Sequence, residues 1–337
     1  MQSTTRRPTL KDVAAASGVS VISASRALRG EPGMAEPLRR KVLDAARALG
    51  YRRNRAAGSL RGAVSELVAV LVPSISHQVF SQLVDGIHAG LRGSDLRVVL
   101  GMTQYDADEE AQVLSDMLSW NPAAVVLSGV EHSARTRELL ADFRGPIIEV
   151  MDTDGEPIDV AVGISQVEAG AIMARHFLAR GYTHIGYIGA WGERPMRSRK
   201  RRQGFEAALA SAGRALTRVV IRDEPSSLET GALGMAALRE RHPDVDAVFL
   251  ANDDLALGAL YWCQEQGIGV PDEIALAGFN GLDMGKFVRP RLTTIHTSRH
   301  AMGAMTGEII RYRCAGEPIL YRQREKLALS LRVGETT

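Results

Sequence analysis

From Leu67 onward the chain alternates short apolar runs with amphipathic stretches, and no other feature restricts its fold as strongly. The apolar runs are Leu67–Val72, Val98–Leu100, Val125–Leu127, Ile147–Val150, His184–Ile188, Val248–Ala251 and Ile274–Gly278. Between many of them lie stretches with helical periodicity, at 77–92, 109–118, 166–180, 198–212, 229–241 and 254–266. Continuous apolar strands interleaved with helices predict parallel sheets covered on both faces. About 270 residues is too much for one ordinary open sheet, so two similar lobes are expected. In such folds a ligand sits beyond the carboxyl ends of the strands, here in the cleft between lobes.

The first 50 residues follow another pattern. Thr9 is placed to cap a helix, with Asp12 three residues on as the short form of a capping box. Leu10, Val13 and Ala14 supply an apolar face to about Ser17, and Gly18 ends it. Ser20 caps a second short helix, Val21 to about Leu28. Pro37 suits the first turn of a third, whose expected stripe is Leu38, Val42, Ala46 and Leu49 before Gly50. Two short helices across a glycine turn, supported by a third, make a helix-turn-helix unit. The run Tyr51–Gly62 is basic and interrupted by Gly58, and is expected to be a linker that turns helical on contact with a partner.

Charge divides at the same place. Residues 1–62 hold 13 Lys and Arg against 4 Asp and Glu, while the whole chain holds 41 against 39. A basic end on an acidic body points to a polyanion partner at that end. The start has no apolar run after its arginines, so no signal peptide is expected, and no uncharged run reaches the length of a membrane span. A cytoplasmic, nucleoid-associated location follows as the expectation. Two cysteines, Cys263 and Cys314, exclude a disulfide framework and a four-cysteine zinc site.

A search for catalysis finds no phosphate-binding glycine loop, dinucleotide fingerprint or nucleophile elbow. Asp253-Asp254 are adjacent, and capping with one ligand contact suits them better than paired acid chemistry. His296 and His300 lack a third ligand. No enzyme activity, metal or cofactor is expected.

The run Thr9–Ser20, followed by Ser23, Ser25-Arg26 and Leu28, resembles the DNA-binding head of LacI/GalR repressors. Leu49-Gly50-Tyr51, Asn54-Arg55-Ala56-Ala57 and Leu60 resemble the third helix and hinge of that family, and Ala251-Asn252-Asp253, Ala277-Gly278-Phe279 and Pro290–Ile295 resemble its body. Among its members the chain is similar to the gluconate-utilisation repressors, through Val72–Phe80, Met117–Asn121, Glu149–Asp152, Asp159–Gly163, Gly278–Gly285 and Arg299–Gly303. The resemblance implies an all-α helix-turn-helix head at 1–50, a hinge at 51–64 and a two-lobed α/β body like periplasmic binding proteins at 65–337. One lobe is expected over about 65–163 and 293–323, the other over about 164–292 and 324–333.

The resemblance also implies roles. Val21, Ile22 and Arg26 match base-reading positions in the major groove, where Arg26 can pair with guanine and the two apolar residues can touch thymine methyls. Helix phase favours Ala24, Ala27 and Leu28 over Val21 and Ile22 as core. Ser20, Ser25 and Arg55 are phosphate-contact candidates, with Arg52 and Arg53. Asn54 and Ala57 match hinge positions near the minor groove, and Leu60 matches the leucine that wedges between base steps. A homodimer on near-palindromic double-stranded operator DNA is implied, and the residues after Leu331, without an obvious heptad repeat, favour a dimer over a tail-mediated tetramer.

For the effector, the resemblance implies apolar walls at Val79 and Phe80 and polar contacts from His77, Gln78, Ser128, Arg201, Asn252 and Asp253. Asn280 stands where neutral-sugar relatives carry an aspartate, and Arg299 stands near a position usually aromatic. Both changes favour a carboxylate, although Arg299 in a structural ion pair is the competing reading. A polyhydroxy acid such as gluconate is the expected effector, and the resemblance favours its releasing DNA. The alternatives are 2-ketogluconate, 6-phosphogluconate or a neutral sugar in the same repressor. A transport-type sugar-binding protein and a sugar-acid enzyme are the competing classes. The basic head and absent signal peptide oppose the first, and absent catalytic motifs oppose the second.

Overall fold

The computed structural model describes residues 8–30, 33–51, 65–76 and 78–337, in two compact units, Met1–Ser65 and Glu66–Thr337. In the first, α1 (Leu10–Ser17), α2 (Val21–Arg29) and α3 (Glu36–Ala48) enclose a core of Val13, Ala14, Ala24, Ala27, Val42 and Ala46. The expected caps are present. Thr9 and Asp12 form the reciprocal capping box, Ser20 accepts from the Ser23 N–H at 3.1 Å, and Gly18 and Gly30 close α1 and α2 at φ +65° and +72°. The stripe expected on α3 is shorter than the sequence suggested. Val42 and Ala46 are buried, while Leu38 and Leu49 remain 37% and 38% exposed. A core built largely of alanine and valine covers only the middle of that helix.

The second unit begins with β1 (Leu67–Val72), α4 (Gln78–Gly90), β2 (Arg97–Met102), α5 (Ala107–Leu118), β3 (Ala124–Ser128), α6 (Ala134–Ala141), β4 (Ile147–Val150) and β5 (Val160–Gly163). It continues with α7 (Gln166–Ala179), β6 (Ile185–Gly189), α8 (Met196–Ser211), β7 (Arg218–Ile221), α9 (Leu228–Arg241), β8 (Ala247–Leu250), α10 (Asp253–Glu265) and β9 (Ala275–Asn280). It ends with α11 (Met284–Phe287), β10 (Thr293–His296), α12 (Arg299–Ala315), β11 (Arg324–Lys326) and β12 (Ser330–Arg332). No helix among the described residues is long and apolar enough to cross a membrane.

The strands form two sheets of the same plan, ordered β11-β5-β4-β3-β1-β2 and β12-β10-β9-β8-β6-β7. All pairings are parallel except β10 with β12. Strand order reverses at β1 in one sheet and at β6 in the other, and ligand crevices open at such points.

Two lobe boundaries differ from expectation. β10 was expected in the first lobe, yet Thr293–His296 pairs with Ala277–Asn280 of the second sheet. Thr293 and Thr294 are buried there, so the strand crosses its lobe completely before the chain changes lobe. β11 was expected in the second lobe, yet it extends the first sheet beside β5, with Leu327 N–H donating to Gly163 C=O at 2.7 Å.

Helices pack closely where glycines face carbonyls. On the α7–α8 pair, a Cβ at Gly170 would overlap the Arg201 carbonyl oxygen and one at Gly204 would overlap that of Val167. The same device recurs between α4 and α12 at Gly86 and Gly303, and between α9 and α10 at Gly231 and Gly258. Gly204→Ala is therefore expected to destabilise the second unit by about 3 kcal/mol. Gly213→Ala, where φ is +72° but no atom lies within 4 Å, should cost only about 1 kcal/mol. Urea unfolding of the two variants checks the order; equal losses would refute close helix contact as the cause.

Candidate functional site

A cleft of about 790 Å³, including its open mouth, lies at the carboxyl ends of both sheets. Val79 and Phe80 at the start of α4, with Tyr105 after β2 and Met151 after β4, form the wall of the first lobe. The second lobe contributes Trp191 after β6, Arg197 and Arg201 on α8, Ser226 after β7, Asn252 and Asp254 at the start of α10, and Phe279 and Asn280 at the end of β9. Apolar faces with a few convergent polar groups are the usual make-up of a small-molecule site.

Arg201 is the most enclosed charge in the cleft, at 5% exposure. It donates to Gln166 Oε1 and, at 2.7 Å, to the Ala251 carbonyl, and lies 3.7 Å from the Phe279 ring centroid. Its Nε–H is buried without an acceptor, and burial pulls its pKa down to about 10. Gln166 is fixed in turn, donating to the Met151 carbonyl at 2.8 Å. Asn252 caps α10, its Oδ1 accepting from Leu255 N–H at 3.0 Å, and its Nδ2 lies 2.7 Å from the Ser226 hydroxyl. Arg197 donates to Ser128 of the other lobe and lies over the Phe80 ring at 5.7 Å. Lys200 also crosses between lobes, reaching Glu131, Asp152 at 2.7 Å and the Asp154 carbonyl at 2.7 Å.

Comparison with known proteins agrees with both parts of this architecture. Residues 9–54 match bacterial regulatory proteins of the lacI family, and residues 174–337 match the periplasmic binding protein-like domain. The chain is 40% identical over 317 residues to the HTH-type transcriptional regulator GntR of Pseudomonas aeruginosa, covering 94% of this chain and 92% of that one. It is 36% identical over 315 residues to the regulator of the same name from Escherichia coli K12, covering 93% and 94%. A crystal structure of a LacI-family transcriptional regulator from Silicibacter pomeroyi superposes with a TM-score of 0.92 at 38% identity, covering 98% of this chain and 99% of that one. This chain belongs to the LacI family of bacterial transcriptional regulators. It is a DNA-binding regulator with an effector-binding body, and its relatives are regulators, not enzymes.

In this LacI-family chain the cleft gathers Val79, Phe80, Arg201, Asn252 and Asn280, all named from sequence. Four other candidates are absent from its lining. Gln78 is exposed at the start of α4, and Ser128 lines a neighbouring cavity, where Arg197 covers it. Arg299 is 3% exposed and its Nε and Nη1 donate within the protein, to Gln82 Oε1 at 2.9 Å and to the Asn280 carbonyl and Thr297 Oγ1, the last at 2.6 Å. The structural role weighed for it from sequence is the one its contacts describe, though its partners are neutral oxygens. His77 lies outside the described residues.

Sequence reasoning missed Tyr105, Gln166, Trp191, Arg197 and Ser226, while of the pair Asp253-Asp254, given one ligand contact from sequence, it is Asp254 that lines the cleft. Arg197 had a usable signal, since it stands four residues before Arg201 and so shares its helical face. In the first unit, Val21 and Ile22 are 42% and 74% exposed at the start of α2, and Arg26 is also exposed. Ser20 and Ser25 lie on the same helix start and first turns. Asn54, Arg55, Ala57 and Leu60 lie outside the described residues.

The fourth absentee, Asp253, points inward instead. It is fully buried, accepting from Leu282 N–H at 2.6 Å and from the Thr294 hydroxyl at 2.6 Å. Burial outweighs those two donors and pushes its pKa up to about 7 from 3.8. An acid with a raised folded-state pKa stabilises the fold fully below the unfolded value, and that share is lost as pH rises through the folded value. Asp253→Asn can keep both bonds, with its amide oxygen on Leu282 and its NH2 on Thr294. The variant is therefore expected to gain stability relative to wild type between about pH 4 and pH 7. Urea midpoints at pH 4.5 and 7.5 measure the difference; a pH-independent gap would refute the titration.

Proposed function

We propose that this regulator is a homodimeric repressor that occupies operator DNA and leaves it when a sugar acid, gluconate, fills the cleft. The observation that carries the effector assignment is the pair Arg197 and Arg201 on one face of α8, opposite amide and hydroxyl groups. An acyclic polyhydroxy acid has one anionic end and several hydroxyls along its chain. Arg197 offers a guanidinium at the cleft wall, and the unpartnered Arg201 Nε–H offers a buried donor. Ser226 and Asn252 supply groups that both donate to and accept from hydroxyls, and the Asp254 carboxylate accepts from them. This moves the carboxylate partner from Arg299 to Arg197, with Arg201 retained. The similarity to gluconate-utilisation repressors in Val72–Phe80 and Gly278–Gly285 supports the same ligand.

Calorimetry with gluconate, 2-ketogluconate, 6-phosphogluconate and glucose tests the assignment. Gluconate is expected to bind and glucose to fail. Arg197→Ala should weaken gluconate by about tenfold or more, the worth of a charge-assisted pair. Binding of glucose in preference to all three acids would reject the carboxylate cleft.

The DNA half of the proposal assigns base contacts to Val21, Ile22 and Arg26, phosphate contacts to Ser20, Ser25 and Arg55, and minor-groove contacts to Asn54, Ala57 and Leu60. Its support is the exposure of two apolar side chains and an arginine on the first turns of α2, where burial explains none of them. Arg26→Ala is expected to cost about 1–3 kcal/mol of operator discrimination. Leu60→Ala should weaken operator binding while gluconate binding stays unchanged. Mobility-shift titrations with a selected operator, with and without gluconate, read both effects; unaltered operator affinity in both variants would reject these contacts.

A further inference from the structure

Trp191 stands apart from the arginines and amides of the cleft. It follows β6 at φ +64°, in the left-handed region that bulky side chains rarely adopt. Two backbone bonds hold the turn, from Trp191 N–H to the Glu224 carbonyl at 2.9 Å and from Gly192 N–H to the Arg222 carbonyl at 2.8 Å. Strained backbone of this kind persists only where the surroundings enforce it, and it gathers at ligand sites. What the turn achieves is the delivery of an indole to the cleft wall. There the ring meets Tyr105 of the opposite lobe, with centroids 5.3 Å apart and planes inclined by 55°. Arg194 lies against the same ring at 5.6 Å.

The indole Nε1–H is buried and has no acceptor. An indole can only donate, so nothing on its own ring relieves that group. Buried donors in native proteins are nearly always paired, and an empty one lining a cleft calls for an oxygen from the ligand. We propose that Trp191 is a specificity-determining residue of this regulator. Its N–H donates to one oxygen of the effector, and its contact with Tyr105 ties that bond to closure of the two lobes. The proposal rests on the polyhydroxy-acid reading of the same cleft. It adds the residue that selects a particular oxygen and a route by which occupancy is felt across the lobes.

The chain has three tryptophans, so Trp120→Phe with Trp262→Phe leaves Trp191 as the only indole emitter. In that protein, gluconate is expected to shift the emission. Trp191→Phe keeps an aromatic ring, though a smaller one, and removes the donor; calorimetry should show gluconate bound about tenfold more weakly, with the thermal midpoint retained. A deoxygluconate lacking the matched hydroxyl should lose as much affinity for the wild type and nothing further for Trp191→Phe. Tyr105→Leu approaches the contact from the other lobe and should weaken binding and reduce the emission shift, even if Trp191→Phe proves unstable. Gluconate binding within twofold of wild type in either folded variant would overturn the proposal while leaving the sugar-acid reading intact. Binding of glucose alone would overturn the sugar-acid reading, and the same two variants would still judge Trp191. A wild type that binds no member of the panel would overturn both.

Discussion

The close contact of α7 with α8 is the constraint on which the effector cleft depends. Gly170 and Gly204 let the two backbones approach until a single methyl group on either would collide with a carbonyl oxygen. That approach seats the first turns of α8 over the ends of the second sheet. Arg197 and Arg201, one helical turn apart, then both reach the cleft, while Gln166 at the start of α7 meets Arg201 directly. Glycine there is a demand of the neighbouring carbonyls. The chain repeats the solution at two further helix pairs, α4 with α12 and α9 with α10.

Burial divides the polar residues of the cleft into two kinds. Asp253 and Arg299 look like ligand groups by type, yet neither lines the cleft and both are bonded within the fold. Asp253 fastens the start of α10 to β10 and to the segment after β9, and Arg299 fastens α12 to the Asn280 carbonyl. Arg201 and Trp191 are different, since each keeps one buried N–H without an acceptor. A site prepared for an oxygen-rich ligand is expected to hold donors in this way, fixed by their other contacts and waiting on one side.

These distinctions explain what the sequence could disclose. Apolar runs such as Leu67–Val72, buried from Val68 on, and Ile147–Val150 are interior strands, and their composition identifies them. The half-buried edge strand Arg218–Ile221 and the three-residue strands Arg324–Lys326 and Ser330–Arg332 carry no such run, and they went unrecognised. The lobe boundaries slipped by one strand in two places because changing sheets leaves no mark in composition. In the head, short-range capping rules sufficed, because Thr9, Asp12, Gly18 and Ser20 act on backbone within three residues. The cleft was partly legible. Residues placed by strand ends, such as Asn252, could be named, but whether a guanidinium faces a ligand or a carbonyl depends on partners more than 15 residues away. For that reason Arg299 was named from sequence and Arg197 was not, with Asn280 and Gln82 claiming the one and the cleft wall retaining the other.

The contacts between lobes set a condition on any control by effector. Lys200 joins α8 to Glu131 and Asp152 across the lobes, and Arg197 joins it to Ser128. A ligand shifts an equilibrium only through contacts that differ between its states. The ion pairs of Lys200 and the Arg197–Ser128 hydrogen bond supply that difference only where a ligand displaces them. Arg197 is the point where displacement is possible, because its guanidinium faces both the cleft and Ser128. A carboxylate that draws Arg197 from Ser128 exchanges a bond between lobes for a bond to ligand. A neutral sugar offers a weaker exchange, since its hydroxyls carry no charge to compete. On the proposed sugar-acid reading, Arg197 would then contribute both to selection of an acid and to the response to it, beside Trp191.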